Sequence, residues 1–152
     1  MAKDSTPLPP LPPEVELLVE QKALHHPLVG LITALRSFPR VIAVSCDMPF
    51  LNGALLRWLA AAPAAPLCFS VGQRISPFPS LHVRDELTTL EAAVVREASL
   101  QSAFRELERS YSAPLKTLPS SVLARFGEPE QLLCNVNSRS ELDQCARLMA
   151  RS

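Results

Sequence analysis

Residues 41–51 read VIAVSCDMPFL, and the reading of this stretch decides the fold. Val41, Ile42, Ala43 and Val44 form an apolar run rich in β-branched residues, with no polar partner. Such a run fits a strand covered on both faces, so a buried strand is expected over Val41–Ser45. The run stops at a lone carboxylate, Asp47, with a proline at Pro49. That is where a strand would leave its sheet, and ligands of open α/β sheets gather outside the carboxyl ends of the strands. Two readings of Asp47 follow. A carboxylate there can hold Mg²⁺ against phosphate oxygens, because Mg²⁺ prefers hard oxygen ligands and keeps several waters. It can equally start the turn ahead of Pro49.

Upstream, Pro27–Phe38 predicts a helix. Pro27 suits a first turn, where its missing N–H costs nothing. Leu28, Leu31, Ile32 and Leu35 recur at helical spacing, and Pro39 ends the pattern. Glu14–Leu24 fits a short helix or a strand. Met1–Pro13 is dense in proline and reads as an extended or disordered tail ahead of a domain spanning residues 14–152.

Downstream, Asn52–Ala62 predicts a helix capped by Asn52, with Leu55, Leu56 and Leu59 buried. Leu67–Val71 is a second strand. Gln73–Pro79 holds two prolines and reads as a loop. Asp85–Arg109 is mostly helical, with Asp85 as a candidate cap and a break near Ser99. Ser112–Pro119 reads as irregular, and Ser120–Phe126 as helical turns closed by Gly127. Gln131–Cys134 is expected as a third strand, running into Asn135-Val136-Asn137. A last helix covers Ser138–Arg151, opened by a capping box from Ser138 to Glu141 or from Ser140 to Asp143. Helices alternating with strands make the fold α/β.

The composition narrows the function. At 152 residues with 47% hydrophobic content, the chain can bury a real core. Fifteen basic residues offset fifteen acidic ones, so no nucleic-acid surface is expected. Cys46, Cys68, Cys134 and Cys145 form no Cys-x-x-Cys pair, and the first three fall in apolar, strand-like runs where free cysteine behaves as a small hydrophobe. A reduced, cytoplasmic setting fits them. There is no apolar leader and no run long enough to span a bilayer, so no membrane is expected. His25 and His26 are adjacent and point apart, which suits no metal site. His82 reads as a surface or half-buried histidine, Trp58 as a core anchor, and Arg74 as the best basic residue near a loop.

Three landmarks together carry a family resemblance. Pro27-Leu28-Val29-Gly30-Leu31, then VIAVSCDMPFL, then Asn135-Val136-Asn137-Ser138 resemble the molybdenum cofactor guanylyltransferases and related nucleotidyltransferases. In that family a Gly-Pro-Leu-Ala-Gly turn opens a helix, a strand ends in Cys-Asp-Met-Pro-Phe, and Asn-x-Asn-Thr/Ser precedes the last helix. The resemblance covers Pro27 to about Arg147. It implies a Rossmann-like, nucleotide-diphospho-sugar-transferase-like three-layer sandwich. It implies transfer of GMP from GTP to molybdopterin, in which positioning and charge neutralisation do most of the work. By that resemblance Asp47 holds Mg²⁺ at the α-phosphate, and Gly30 lets backbone approach the ligand. Asn135 and Asn137 shape the cofactor side of the cleft. Amide side chains suit that place because they add no negative charge beside phosphates.

The chain also departs from the family pattern. The family opens with Leu-x-Gly-Gly-x-Ser-x-Arg-Met-Gly, whose backbone N–H groups wrap a triphosphate. Residues 1–27 contain no glycine, and His26 stands where the family has its first glycine of Gly-Pro-Leu-Ala-Gly. Gln21-Lys22-Ala23-Leu24 echoes the family's Asp-Lys-Ala-Leu, but Lys22 lies too close to Asp47 in sequence to match it. The domain is therefore expected to be N-terminally incomplete, with Val41–Ser45 exposed on one side of the sheet and open to a protein partner. The alternatives are a non-catalytic or partner-completed fragment that binds pterin or a protein but not GTP, and a plain α/β interaction domain.

Overall fold

The computed structural model describes residues 10–19, 26–63 and 66–149. Most of the proline-rich tail, the Gln21–Leu24 echo, His25 and the end of the last helix lie outside the described residues. Of Glu14–Leu24, the described part is a turn closed by Val15 N donating to Pro12 O at 2.9 Å, then irregular chain with a bridge residue at Val19.

The chain divides into two compact units, residues 1–41 with 82–115, and residues 42–81 with 116–152. The elements run α1 (Val29–Ser37), β1 (Arg40–Ala43), α2 (Gly53–Ala61), β2 (Leu67–Val71), β3 (Arg74–Val83), α3 (Leu87–Val95), α4 (Leu100–Glu108), β4 (Lys116–Pro119), α5 (Pro129–Leu132) and α6 (Arg139–Met149). Short 3-10 helices occupy Arg84–Glu86 and Ser120–Arg125. The four strands form one sheet in the order β1-β3-β2-β4. The pair β2/β3 is antiparallel and β2/β4 is parallel, so the mixed α/β class holds.

In the first unit α1 packs on α3, and α3 on α4. The predicted stripe of α1 is the buried one: Leu28, Leu31, Ile32 and Leu35 are all buried. Burial of each such side chain contributes about 1.5–3 kcal/mol. They meet a core that also contains Leu90, Val94, Phe104 and Leu107. Arg84 ties the end of α1, donating from Nε to Leu35 O at 3.1 Å and from its backbone N to Pro39 O at 3.0 Å. A cation suits that place because the last carbonyls of a helix lack intrahelical partners.

His82 corrects its sequence reading: it is fully buried, not on the surface. Its Nδ1 lies 3.1 Å from both carboxylate oxygens of Glu86, which is also fully buried. Glu86 Oε2 accepts from Val83 N at 2.7 Å as well. The ring of Phe104 meets the imidazole edge-on at 5.4 Å. Glu86, rather than the exposed Asp85, takes the role of cap at this turn. The break near Ser99 is real: Glu97 has φ 52°, and Ser99 Oγ accepts from Ser102 N at 3.2 Å to start α4.

In the second unit Leu55, Leu59, Leu67, Phe69, Leu81, Leu123 and Leu132 form the core. Leu56 and Trp58 are half-buried against it. Trp58 is the expected anchor, with its ring 5.6 Å from Phe126 and the Arg125 guanidinium 4.6 Å above it.

Four sequence expectations fail here. Of Gln73–Pro79, only Gln73 lies in a turn, and Arg74–Pro79 is not a loop but the start of β3, which turns back from β2 through Gly72 at φ 58°. Leu67 pairs with Leu81, whereas Phe69 pairs with Ser76. The extra β3 residues between those pairs hold Pro77 and Pro79, so the prolines fall where the β2 ladder is interrupted and their missing N–H groups cost little. Ser112–Pro119 is not irregular throughout, since Lys116–Pro119 pairs with β2 as β4. Gln131–Cys134 is not a strand. Pro129 starts a helical turn and Cys134 follows it in irregular chain, because a four-residue apolar run does not separate strand from buried helix. The strand at Val41–Ser45 ends earlier, at Ala43, and is half-buried with Val44 48% exposed, not covered on both faces. In the sheet order β1 stands at one end, as a strand without a second neighbour among the described residues.

Candidate functional site

The candidate site is built where β1 hands over to α2, within the second unit. After Ala43 the chain turns at Cys46-Asp47 and again at Pro49-Phe50. Two apolar residues hold the handover: Met48 is buried and Leu51 packs against the core. Asn52 then caps α2, with Oδ1 accepting from Leu55 N at 3.0 Å. Its Nδ2 donates to Phe126 O at 2.8 Å. One amide thus fixes both the start of α2 and the end of the Ser120–Arg125 turn. The turn reading of Asp47 is therefore correct as geometry.

The metal reading is tested by the carboxylate itself. Asp47 Oδ1 is buried and has no hydrogen-bond partner among the described residues. A buried carboxylate oxygen without a partner is costly, so such an oxygen is a natural ligand for a cation. Among the described residues no three His, Cys, Asp or Glu side chains cluster to hold a metal. The donor set thus suits an ion that takes one protein carboxylate and completes its shell with water and phosphate oxygens, as Mg²⁺ does.

The structure brings the asparagine motif to this turn. Val136 N donates to Asp47 O at 2.8 Å. Asn135 and Asn137 flank that bond and are both exposed. The segment is held from its other side by α6. Glu141 Oε2 accepts from Asn137 N at 2.8 Å and from Ser138 Oγ at 3.0 Å, while Ser138 Oγ accepts from Glu141 N at 3.3 Å. Ser138 and Glu141, not Ser140 and Asp143, therefore open the helix. The hydrogen bonds from Asn137 and Ser138 hold the Glu141 carboxyl below its usual pKa. Glu141 is the positioning residue that sequence reading took only for a cap. Its signal was the Ser-x-x-Glu spacing.

Gly30 lies in the other unit, as a buried residue in the first turn of α1. His26 is committed to structure on both ring nitrogens. Nε2 is 2.7 Å from Ala98 O, and Nδ1 accepts from Leu28 N at 3.1 Å. Arg74 is exposed at the β2–β3 turn. Cys46 is exposed in the Asp47 turn rather than packed as a small hydrophobe, while Cys68 is buried.

The model of the MobA-like NTP transferase domain matches residues 3–111. The chain belongs to that family. Among curated proteins, no sequence match was found. Among solved structures, molybdopterin-guanine dinucleotide biosynthesis protein A from Archaeoglobus fulgidus superposes with a TM-score of 0.74 at 20% identity, covering 91% of this chain and 70% of that one. A protein from Aquifex aeolicus superposes with a TM-score of 0.57 at 12% identity, covering 80% of this chain and 62% of that one. Both likenesses concern the fold. No helix among the described residues is long and apolar enough to cross a membrane.

Proposed function

We propose that this member of the family transfers GMP from GTP to molybdopterin in molybdenum cofactor biosynthesis, with Asp47 as the Mg²⁺ ligand. The observation that carries the proposal is the buried, unpartnered Oδ1 of Asp47, tied through Val136 to an exposed Asn-x-Asn segment. The Archaeoglobus fulgidus protein of the same fold is named for molybdopterin-guanine dinucleotide biosynthesis, which supports the choice of substrates.

In this reading the terminal phosphate of molybdopterin attacks the α-phosphorus of GTP in line, and pyrophosphate leaves. Bound Mg²⁺ would neutralise charge on the phosphate oxygens. Asp47 offers one hard oxygen at a fixed place, because the turn that carries it is held by buried Met48 and by the Asn52 cap. Asn135 and Asn137 present amides beside that place, where they donate and accept without repelling phosphate.

Titration calorimetry with GTP and Mg²⁺ tests the proposal. Wild type is expected to bind and Asp47→Ala to lose binding. No heat from wild type would overturn the nucleotide reading and favour a non-catalytic domain that binds pterin or a protein. Binding unchanged in Asp47→Ala would remove Asp47 from the site.

A further inference from the structure

The first unit holds a pocket of about 280 Å³ between α1 and α3. Val29, Ile32, Thr33 and Arg36 line it from α1, and Glu91, Val94 and Val95 from α3. On each helix these residues recur at the three- and four-residue spacing that puts them on one face. Arg36 meets Glu91 and His26 meets Ala98, so the helices run antiparallel and the two charges share one end of the pocket. Val29 and Val95 stand toward the other end. Val29, Ile32 and Val94 are buried, whereas Val95 is 82% exposed and leaves an apolar lip open to water. An apolar wall with a few polar groups at one end is the make-up of small-molecule sites, which start near about 300 Å³, so the occupant is small. The charged end keeps hydrogen-bonding capacity. Arg36 Nε and Nη2 both donate to Glu91 Oε1, at 3.2 and 2.7 Å. Arg36 Nη1 and Glu91 Oε2 have no partner among the described residues. Thr33 Oγ1 donates to Val29 O at 2.9 Å and can still accept.

We propose that this pocket binds a small aliphatic α-amino acid of the leucine, isoleucine or valine type. Charge complementarity selects it. Arg36 Nη1 donates to the ligand carboxylate, and the ligand ammonium donates to Glu91 Oε2 and Thr33 Oγ1. The Arg36–Glu91 pair stays intact, because the ligand takes only atoms that the pair leaves open. Both side chains of that pair are about half exposed, so the pair contributes little to the fold and its charges remain available. The branched ligand side chain lies along Val29, Ile32, Val94 and Val95. A plain acid leaves Glu91 unanswered, and a plain amine leaves Arg36 unanswered. An uncharged apolar molecule takes water from both without replacing its hydrogen bonds. The inference does not depend on nucleotide transfer.

The test titrates the full chain with free leucine, without nucleotide, and follows the side-chain methyl groups by NMR. The methyls of Val29, Ile32, Val94 and Val95 are expected to shift together and to saturate. Isocaproate, which is leucine without its ammonium, and isoamylamine, which lacks the carboxylate, are each expected to bind about tenfold more weakly. The variants Arg36→Gln and Glu91→Gln change exposed positions and leave the fold in place. Arg36→Gln should lose the preference for leucine over isoamylamine and keep the preference over isocaproate. Glu91→Gln should do the reverse. Absence of a saturable shift up to the solubility of leucine would overturn the proposal. So would equal binding of leucine and its two analogues, which would make the pocket an apolar groove without amino-acid recognition. Methyl shifts that follow protein concentration rather than leucine would also overturn it, because a second copy of the chain would then cover the groove. Because nothing here is read through GTP, failure of this site and failure of the nucleotide reading are separate results.

Discussion

Glu86 and Asp47 each follow the end of a strand, and the fold treats the two carboxylates oppositely. Glu86, after β3 in the first unit, is fully buried and engaged by His82 and by Val83 N. Asp47, after β1 in the second unit, keeps one buried oxygen with no partner among the described residues. A satisfied buried carboxylate belongs to the architecture. An unsatisfied one is held in place by its surroundings and gains little from them, which is the signature of a group kept for a ligand. The contrast predicts opposite outcomes for stability and binding when each is replaced.

The largest effect is expected at Glu86. Glu86→Ala leaves His82 and Val83 N buried without their acceptor, at a cost of about 3 kcal/mol in denaturant unfolding. A loss below about 1 kcal/mol would break the contrast, because Glu86 would then be no better served by the fold than Asp47. Asn52→Ala comes next. It removes the cap on Leu55 N and the bond to Phe126 O, costing about 1–2 kcal/mol by the same measurement. Asn52→Asp keeps the capping oxygen and loses only the donor, so it should fall between wild type and Asn52→Ala.

The smallest effect is the pH dependence at Glu141. Its folded pKa lies below its unfolded one, since Asn137 N and Ser138 hydrogen-bond to the charged carboxylate. The associated stabilisation is present above the ordinary glutamate pKa and is lost as pH falls through the depressed folded value. Acid should therefore loosen the start of α6 and the Asn135–Asn137 segment while the first unit keeps its structure. Site-resolved NMR across that range checks this. Glu141→Gln should remove the acid dependence. An Asn137 amide that does not respond to pH would show that Glu141 does not hold the segment.

The elements legible in the sequence are those set by neighbours in the chain. The Leu28-Leu31-Ile32-Leu35 stripe and the Asn52 cap each depend on a few adjacent residues, and both are found as expected. The strands β3 and β4 depend on distant partners. Pro77 and Pro79 look like loop residues until the broken register against β2 shows where they fit. Gln131–Cys134 is apolar enough for a strand, yet Pro129 begins a helical turn there. The site divides the same way. Asp47 stands out because the apolar run stops at it. Its link to Val136 is a backbone bond across the fold, which no periodicity can show. The fixing of His26 by Ala98 O and the burial of His82 are also tertiary facts.

The most direct test of the central claim measures unfolding free energy and Mg²⁺-dependent GTP binding on Asp47→Asn in parallel. The substitution keeps the size of the side chain and removes its charge. Stability within about 0.5 kcal/mol of wild type, or higher, is expected together with lost GTP binding. Stability lower by about 2 kcal/mol with GTP binding intact would contradict it, because Asp47 would then be a structural carboxylate like Glu86.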